Sequence, residues 1–174
     1  IQEDGLTYVS LRSFVSGTYD NMLARYAREG AKARGSKAVI YDLRGNVGGS
    51  DSWPRKWIQS FLGTQNSIET SMLYAQKNSA LFAAENSESL LPEDEGTCFA
   101  REVHGTWYEN DIPIIVLVDD HCGSSGEGAV QLLKTLDNVL IVGSNTAGYQ
   151  LCGNISTFTL PYTGIGVRFG STLF

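Results

Sequence analysis

The sequence is poor in cysteine and histidine. Its 174 residues include three cysteines, Cys98, Cys122 and Cys152, and two histidines, His104 and His121. Three widely spaced cysteines form neither a disulfide framework nor a zinc-ligand pattern, although one pair could bond in an oxidising compartment. Two scattered histidines do not provide the clustered ligands of a metal site. We therefore expect no metal.

Long apolar runs and an excess of positive charge are also missing. No apolar segment approaches the roughly 18–20 residues that a transmembrane helix needs, so no membrane span is predicted. The formal net charge is -6 and the isoelectric point is near 4.8. Because an acidic surface repels phosphate backbones, a nucleic-acid partner is not expected. Hydrophobic residues make up 42% and charged residues 18% of the chain, which is typical of a folded domain.

The length is sufficient for one domain with an ordinary hydrophobic core, and we predict a single core domain over residues 1–174. The sequence begins with Ile1 rather than Met and stops inside an alternating apolar stretch. We therefore expect a fragment of a longer protein, with an upstream domain missing. Residues 64–111 are polar and weakly periodic and carry the acidic run LPEDEG. We predict an inserted variable lobe there.

Predicted strands and helices alternate along the rest of the chain, which indicates an α/β fold. The apolar patterns predict strands at 6–10, 37–43, 71–75, 114–118 and 139–142, and a closing hairpin at 158–169. Helical spacing predicts helices from Thr18 or Asp20 to about 34, and at 53–61 and 124–136.

Three polar, glycine-rich turns follow three of the predicted buried strands. They read DLRGNVGG (42–49), DDHCGSSGEG (119–128) and GSNTAGY (143–149). Ligands of open α/β sheets bind at the carboxyl ends of the strands. We therefore predict that the three turns share one site.

Ser124 lies where a predicted strand turns into a helix, near the positive end of the helix dipole. A serine there can be a nucleophile, with neighbouring backbone N–H groups that bind an oxyanion. Alternatively, Ser124 merely caps the helix, and Glu127 completes a capping box. The turn does not fit the G-x-S-x-G elbow, because Glu127 takes the place of its second glycine.

The glycine loop also allows two interpretations. Gly48 and Gly49 could turn their N–H groups toward an acyl oxygen, an approach that a side chain would obstruct. Alternatively, the loop is a tight turn into the next helix. Asp42 and Arg44 could pair there and brace the loop.

Together these motifs resemble the S41 serine peptidases, which include the carboxyl-terminal processing proteases, the tail-specific proteases and the tricorn core. The family's glycine loop reads roughly D-L-R-x-N-x-G-G, and residues 42–49 match it. Its nucleophile turn, S-x-S/G-E, is matched by Ser124, Gly126 and Glu127. A later G-x-x-T-x-G turn is matched by residues 143–148. The resemblance implies a crotonase/ClpP-like stack of ββα units.

The resemblance also implies what the site does. Ser124 would be the nucleophile of a serine endopeptidase that cleaves extended polypeptides through an acyl-enzyme. The N–H groups of Gly49 and Ser125, together with the Gly48 loop, would form the oxyanion hole. Supporting roles are implied for Asp42, Arg44, Asn46, Glu127, Thr146 and Tyr149. No cofactor is implied, and the protein would be secreted or located at the cell envelope.

One departure from the family concerns the general base. The Ser-Lys branch has a lysine directly after its T-x-G turn, and this chain has Tyr149 there. Lys134 lies on the serine's own predicted helix, roughly 15 Å along it, and is a poor base. The base could be a histidine from an upstream segment, or His121, or less readily His104.

Two other functions stay open at this point. The chain could have lost catalysis and serve as a peptide- or lipid-binding module, since the family resemblance includes retinoid-binding members. Acyl-CoA chemistry on the same fold would use the same oxyanion glycines but would not need Ser124.

Overall fold

The computed structural model describes residues 2–17, 19–80, 83 and 95–173. The described residues divide into two compact units. The first contains the residues up to Thr70 together with His104–Gln150, and the second contains Ser71–Val103 together with the residues from Leu151 onward. Most of the acidic run in the predicted lobe lies outside the described residues, so the lobe at 64–111 stays a prediction.

Nine strands and three helices are named here among these residues. In chain order they are β1 (Gln2–Glu3), β2 (Leu6–Ser10), α1 (Asp20–Ala33), β3 (Ala38–Asp42), α2 (Ser52–Leu62), β4 (Met72–Lys77), β5 (Cys98–Val103), β6 (Ile114–Val118), α3 (Ser125–Leu133), β7 (Val139–Gly143), β8 (Cys152–Thr159) and β9 (Gly166–Leu173). A short 3₁₀ helix covers Tyr149–Leu151.

The first unit is built on a five-stranded sheet in the order β1-β2-β3-β6-β7. Neighbouring strands among β2, β3, β6 and β7 pair in parallel, and the short β1 pairs antiparallel with β2. The predicted α/β class is confirmed, and every strand and helix predicted for this unit is present within three residues of its expected ends. The central strands β3 and β6 are nearly continuous apolar runs, as expected for parallel strands covered on both faces.

The core of this unit lies between the sheet and the helices. Its largest fully buried side chains include Trp57, Tyr41, Phe14, Leu23, Ile58 and Leu132. Each buried side chain of this size contributes about 1.5–3 kcal/mol relative to an exposed one. In the part of the chain that the structure describes, no helix is long and apolar enough to cross a membrane.

The parallel register brings the three glycine-rich turns to one edge of the sheet. Asp42, the last residue of β3, is paired with Leu117 of β6, and Val118 of β6 is paired with Gly143 of β7. The chain therefore leaves three neighbouring strands at nearly the same level. This register is the structural basis of the site described below.

The second unit is an antiparallel sheet in the order β5-β4-β9-β8. The predicted hairpin near the end of the chain is present as β8 and β9, but its strands are longer than expected. The strand β5 was not predicted. Five of its six residues are exposed, so the sequence CFAREV carries no apolar alternation from which a strand could be recognised.

All three cysteines are unpaired. Cys98 and Cys152 lie on β5 and β8, the two outer strands of the second sheet, with two strands between them. At about 4.8 Å between neighbouring strands, their Cα atoms are at least about 14 Å apart. A disulfide needs Cα atoms within about 7 Å. The fold therefore excludes a Cys98–Cys152 bond.

Helices α1 and α2 approach each other closely at Gly30. A Cβ atom at Gly30 would lie 2.3 Å from the carbonyl oxygen of Trp57 and 2.9 Å from the amide nitrogen of Phe61. Real Cβ atoms do not approach backbone atoms so closely. The crossing therefore requires glycine at this position.

We expect Gly30→Ala to lower the free energy of unfolding by about 1–3 kcal/mol, because α1 must move away from α2. This loss outweighs the better helix propensity of alanine. Gly35→Ala is the matched control, since a Cβ there would meet only the carbonyl oxygen of Lys32, at 3.7 Å. The control should change stability by less than about 1 kcal/mol. Urea unfolding measures both, and equal effects would contradict the packing argument.

Candidate active site

Ser124 has a backbone conformation that is unusual for a serine. It lies between β6 and α3 with φ of 54° and ψ of -125°. An ordinary N-cap residue has β-region dihedrals. A residue with a side chain at positive φ costs on the order of 1–3 kcal/mol, and such strain concentrates at functional sites. Ser124 and Glu127 do form the capping box that the second interpretation expected. The strain is a further feature that an ordinary cap does not need, and it favours a nucleophile at this position.

Glu127 joins the serine turn to the turn that follows β7. Its side chain is buried, with the residue 6% exposed. Oε2 accepts the backbone N–H groups of Ser124 (2.9 Å) and Tyr149 (2.8 Å). Oε1 accepts the hydroxyl of Thr146 and the N–H of Gly148, both at 2.7 Å. A buried carboxylate is stable only when donors satisfy it, so these bonds hold the two turns together.

The glycine loop packs directly on the serine turn. A Cβ atom at Gly48, where φ is +92°, would lie 2.7 Å from the Cβ of Ser124 and 3.0 Å from the amide nitrogen of Ser125. A Cβ atom at Gly49, where φ is +140°, would lie 2.1 Å from the carbonyl carbon of Phe14. Both glycines are therefore required by close backbone approaches, on opposite sides of the loop.

Two backbone N–H groups beside Ser124 have no hydrogen-bond partner among the described residues. They belong to Gly49 and Ser125. The hydroxyl of Ser125 donates to the carbonyl oxygen of Gly49 at 2.9 Å, which keeps these two residues together. Gly48 differs, because its N–H donates to Oδ1 of Asn46 at 2.9 Å. Gly49 and Ser125 can thus offer donors to an oxyanion, whereas the N–H of Gly48 is engaged inside the loop.

Asn46 is the buried centre of the glycine loop. Its side-chain amide donates to the carbonyl oxygen of Leu11 at 2.9 Å. Its own carbonyl oxygen accepts the N–H of Gly123, also at 2.9 Å. One residue therefore connects the exit of β2, the glycine loop and the serine turn.

Asp42 and Arg44 form a bidentate ion pair at the start of the loop. Nε and Nη2 of Arg44 donate to the two oxygens of Asp42 at 2.8 and 2.9 Å, and the hydroxyl of Tyr8 donates to the same carboxylate. The Arg44 hydrogen bonds hold the pKa of the buried Asp42 well below its usual range. The pair braces the loop, as the second interpretation of the sequence expected.

No histidine or lysine among the described residues hydrogen-bonds to Ser124. The side chain of His121 is 76% exposed, and its Nδ1 bonds to Oδ1 of Asp120 at 2.7 Å. Tyr149 stands at the position where the resemblance expects a lysine. Its ring lies against the serine turn, since a Cβ at Gly123 would be 2.8 Å from a ring carbon. The ring of Tyr149 therefore lies against this turn, whereas the side chain of His121, a residue of the turn itself, is exposed and bonded to Asp120.

The other residues considered as base, Lys134 and His104, make no hydrogen bond to Ser124, and the neighbouring thiol of Cys122 is not a nucleophile at neutral pH. Lys134 is the exposed C-cap at the far end of α3. His104 makes no hydrogen bond to Ser124. Cys122 is fully buried, and burial raises the pKa of its thiol to about 12, so a thiolate nucleophile is not available at neutral pH.

Asp119 was not among the residues predicted from the sequence. Its carboxylate accepts the N–H of Gly45 at 2.8 Å and therefore contacts the glycine loop. The available signal was an acidic residue directly after a buried strand. Asp119, Asp120 and His121 bring potential metal ligands within 4.8 Å of one another. Two of them are exposed and bond to each other, so the cluster is explained without a metal.

Comparison with known proteins identifies a family and a shared fold. The model of peptidase family S41 matches residues 5–170. None of the curated proteins matches the sequence.

Three solved structures share the fold. A candidate peptidase from Parabacteroides merdae is 25% identical with a TM-score of 0.56, and the match covers 99% of this chain and 49% of that one. The photosystem II D1 C-terminal processing protease is 19% identical with a TM-score of 0.55, and the match covers 97% of this chain and 37% of that one. Mature CPAF is 14% identical with a TM-score of 0.60, and the match covers 96% of this chain and 42% of that one. The predicted fold class is confirmed, and the chain spans half or less of each of these structures.

We expect Glu127→Gln to lower the free energy of unfolding by at least about 2 kcal/mol. The amide keeps one acceptor oxygen and points N–H groups at N–H donors that the carboxylate satisfied. Amide hydrogen exchange at Gly148 and Tyr149 should become faster. Glu109→Gln, at an exposed site, is the matched control and should change stability by less than about 0.5 kcal/mol. Equal urea midpoints for the two variants would contradict the role of Glu127.

The depressed pKa of Asp42 predicts a pH-dependent contribution to stability. A carboxylate with a lowered folded-state pKa stabilises the protein above its unfolded pKa of about 3.9, and the contribution is lost as the pH falls toward the folded value. Asp42→Asn should therefore be less stable than wild type at about pH 7, and the difference should narrow below about pH 4. Urea midpoints across this range test it. If the difference in stability between wild type and Asp42→Asn did not change with pH, the variant would have lost the hydrogen-bond geometry of Asp42 and not the effect of its charge.

Proposed function

Because the chain belongs to peptidase family S41, we propose that it is the catalytic core of a serine endopeptidase that hydrolyses extended polypeptides through an acyl-enzyme on Ser124. One observation carries the proposal. A serine with strained backbone lies beside two N–H groups, those of Gly49 and Ser125, that have no partner among the described residues. A candidate nucleophile beside two such donors supports acyl transfer, which also needs a general base.

The proposed reaction follows from these positions. The hydroxyl oxygen of Ser124 attacks the carbonyl carbon of the scissile peptide bond, and its proton passes to the base. The carbonyl oxygen becomes negative and accepts hydrogen bonds from Gly49 and Ser125. The C–N bond then breaks, and the base returns the proton to the leaving amine. Water hydrolyses the resulting ester and frees Ser124.

The surroundings of Ser124 favour the negative charge that develops on the substrate. Ser125 is the first residue of α3, so its N–H belongs to the positive end of a helix dipole. The negative charge of Glu127 is offset by four donors, which limits its repulsion of an oxyanion. Removing one oxyanion donor costs about 10²–10³ in kcat in serine hydrolases.

The general base is proposed to come from residues outside 1–174, as a histidine. Tyr149 occupies the lysine position, and the ring of His121 is bonded to Asp120. His121 would have to give up this hydrogen bond to reach Ser124. Tyr149 would then close the pocket or donate a hydrogen bond to the substrate.

The proposed substrate is an unfolded or extended polypeptide that adds as a strand near the glycine loop. Cleavage near a carboxyl terminus is a further proposal, suggested by the D1 C-terminal processing protease, which is similar in fold. A secreted or envelope location is proposed from the family alone. No cofactor is proposed.

A second candidate function is a peptide- or lipid-binding module without chemistry. The observation that favours it is the lack of a hydrogen-bonded base on Ser124 within the described residues. Such a module would use the N–H groups of Gly49 and Ser125 to bind a carboxylate or carbonyl oxygen. Acyl-CoA chemistry would also use these groups, but it gives no reason for the strain at Ser124.

Ser124→Ala in the full-length gene product should lower cleavage of an unfolded protein by at least about a thousandfold, because the nucleophile is removed. Mass spectrometry of the products measures cleavage and gives the peptide ends. A fluorophosphonate probe should label wild type at Ser124 and leave the variant unlabelled. Ser67→Ala, at an exposed serine outside the three turns, is the control and should retain full activity. Folded wild type that neither cleaves nor takes the label would favour the binding module.

A further inference from the structure

We propose that Asp119 is a positioning residue that holds the glycine loop against the serine turn and so sets the distance between the two oxyanion donors. This inference rests on the function proposed above. Oδ1 of Asp119 accepts the backbone N–H of Gly45 at 2.8 Å and that of His121 at 3.2 Å. Its carbonyl oxygen accepts the N–H of Cys122 at 3.0 Å. Asp119 therefore bonds to both the glycine loop and the serine turn.

The two oxyanion donors lie on different segments of the chain. Gly49 belongs to the glycine loop and Ser125 to the start of α3, so their separation depends on how the loop lies against the turn. Asp119 fixes the first residues of the loop and Asn46 fixes its middle, through the N–H of Gly123. The hydroxyl of Ser125 fixes its end at Gly49.

Gly45 is the residue at which the loop leaves the Asp42–Arg44 ion pair. It has φ of +68°, and its N–H is directed to Asp119. Without this acceptor, the first residues of the loop lose their hydrogen bond to the segment that leads into the serine turn. A displacement of about 1 Å at a reacting group can cost about 10² in rate. The effect should appear in kcat, because Asp119 does not contact the substrate in this proposal.

The carboxylate could instead act through its charge, since Asp119 lies close to His121. The hydrogen bond from Gly45 lowers the pKa of Asp119, so the residue is ionised at neutral pH. Two substitutions separate acceptor from charge. Asp119→Asn keeps an acceptor oxygen with two lone pairs and removes the charge. Asp119→Glu keeps the charge and displaces the oxygen by one methylene.

The experiment measures kcat and KM for an unfolded protein substrate with the full-length wild type and the variants D119A, D119E and D119N. D111A is the control, because Asp111 is an exposed carboxylate near the opposite end of β6. We expect D119A and D119E to lower kcat about 10- to 100-fold with KM within about threefold. D119N should remain within about fivefold of wild type. D111A should equal wild type. If D119A does not fold, D119E still tests the position of the acceptor oxygen.

Two results would overturn the proposal. If D119N loses as much activity as D119A, charge matters and the acceptor does not. If D119A retains wild-type kcat, Asp119 positions nothing. Inactive wild type would reject the proposed function alone, and hydrogen exchange then decides the role of Asp119. Faster exchange at the Gly49 and Ser125 amides in D119A, but not in D111A, would support positioning, and unchanged exchange would reject it.

Discussion

The site depends on one close contact, in which the backbone of the glycine loop lies against Ser124 with no side chain between them. A Cβ at Gly48 would come within 2.7 Å of the serine Cβ. The contact is possible because β3 and β6 are adjacent parallel strands that end at nearly the same level. The sheet register thus places the loop beside the turn, and the glycine at position 48 allows them to come into contact.

Buried and half-buried carboxylates hold the turns around this contact. Asp42 is satisfied by Arg44 and Tyr8, Asp119 by backbone N–H groups, and Glu127 by three N–H groups and a hydroxyl. Each carboxylate accepts bonds from segments far apart in sequence. Among the described residues, the N–H groups of Gly49 and Ser125 have no partner in this network, which is why we propose that they bind the ligand.

Much of the first unit follows from local sequence patterns, since its strands are buried apolar runs and its turns are marked by glycine. Ser124 and the glycine pair could be singled out because close backbone approach and strand-to-helix turns leave a residue signature. The strand β5 could not, because its exposed residues show no alternation. The roles of Asp119 and of the Gly48 N–H depend on which distant donor meets which acceptor, and spacing along the chain does not encode this.

The strain at Ser124 bears on the choice between catalysis and binding. A module that only binds a carbonyl or carboxylate oxygen needs the two N–H donors, and an unstrained cap at position 124 would present the start of α3 equally well. A positive φ adds an energetic cost that binding does not recover. Such strain concentrates at functional sites, where it holds a reacting group in place. We therefore infer that the strain at Ser124 is better explained by the proposed nucleophile than by a binding module without chemistry.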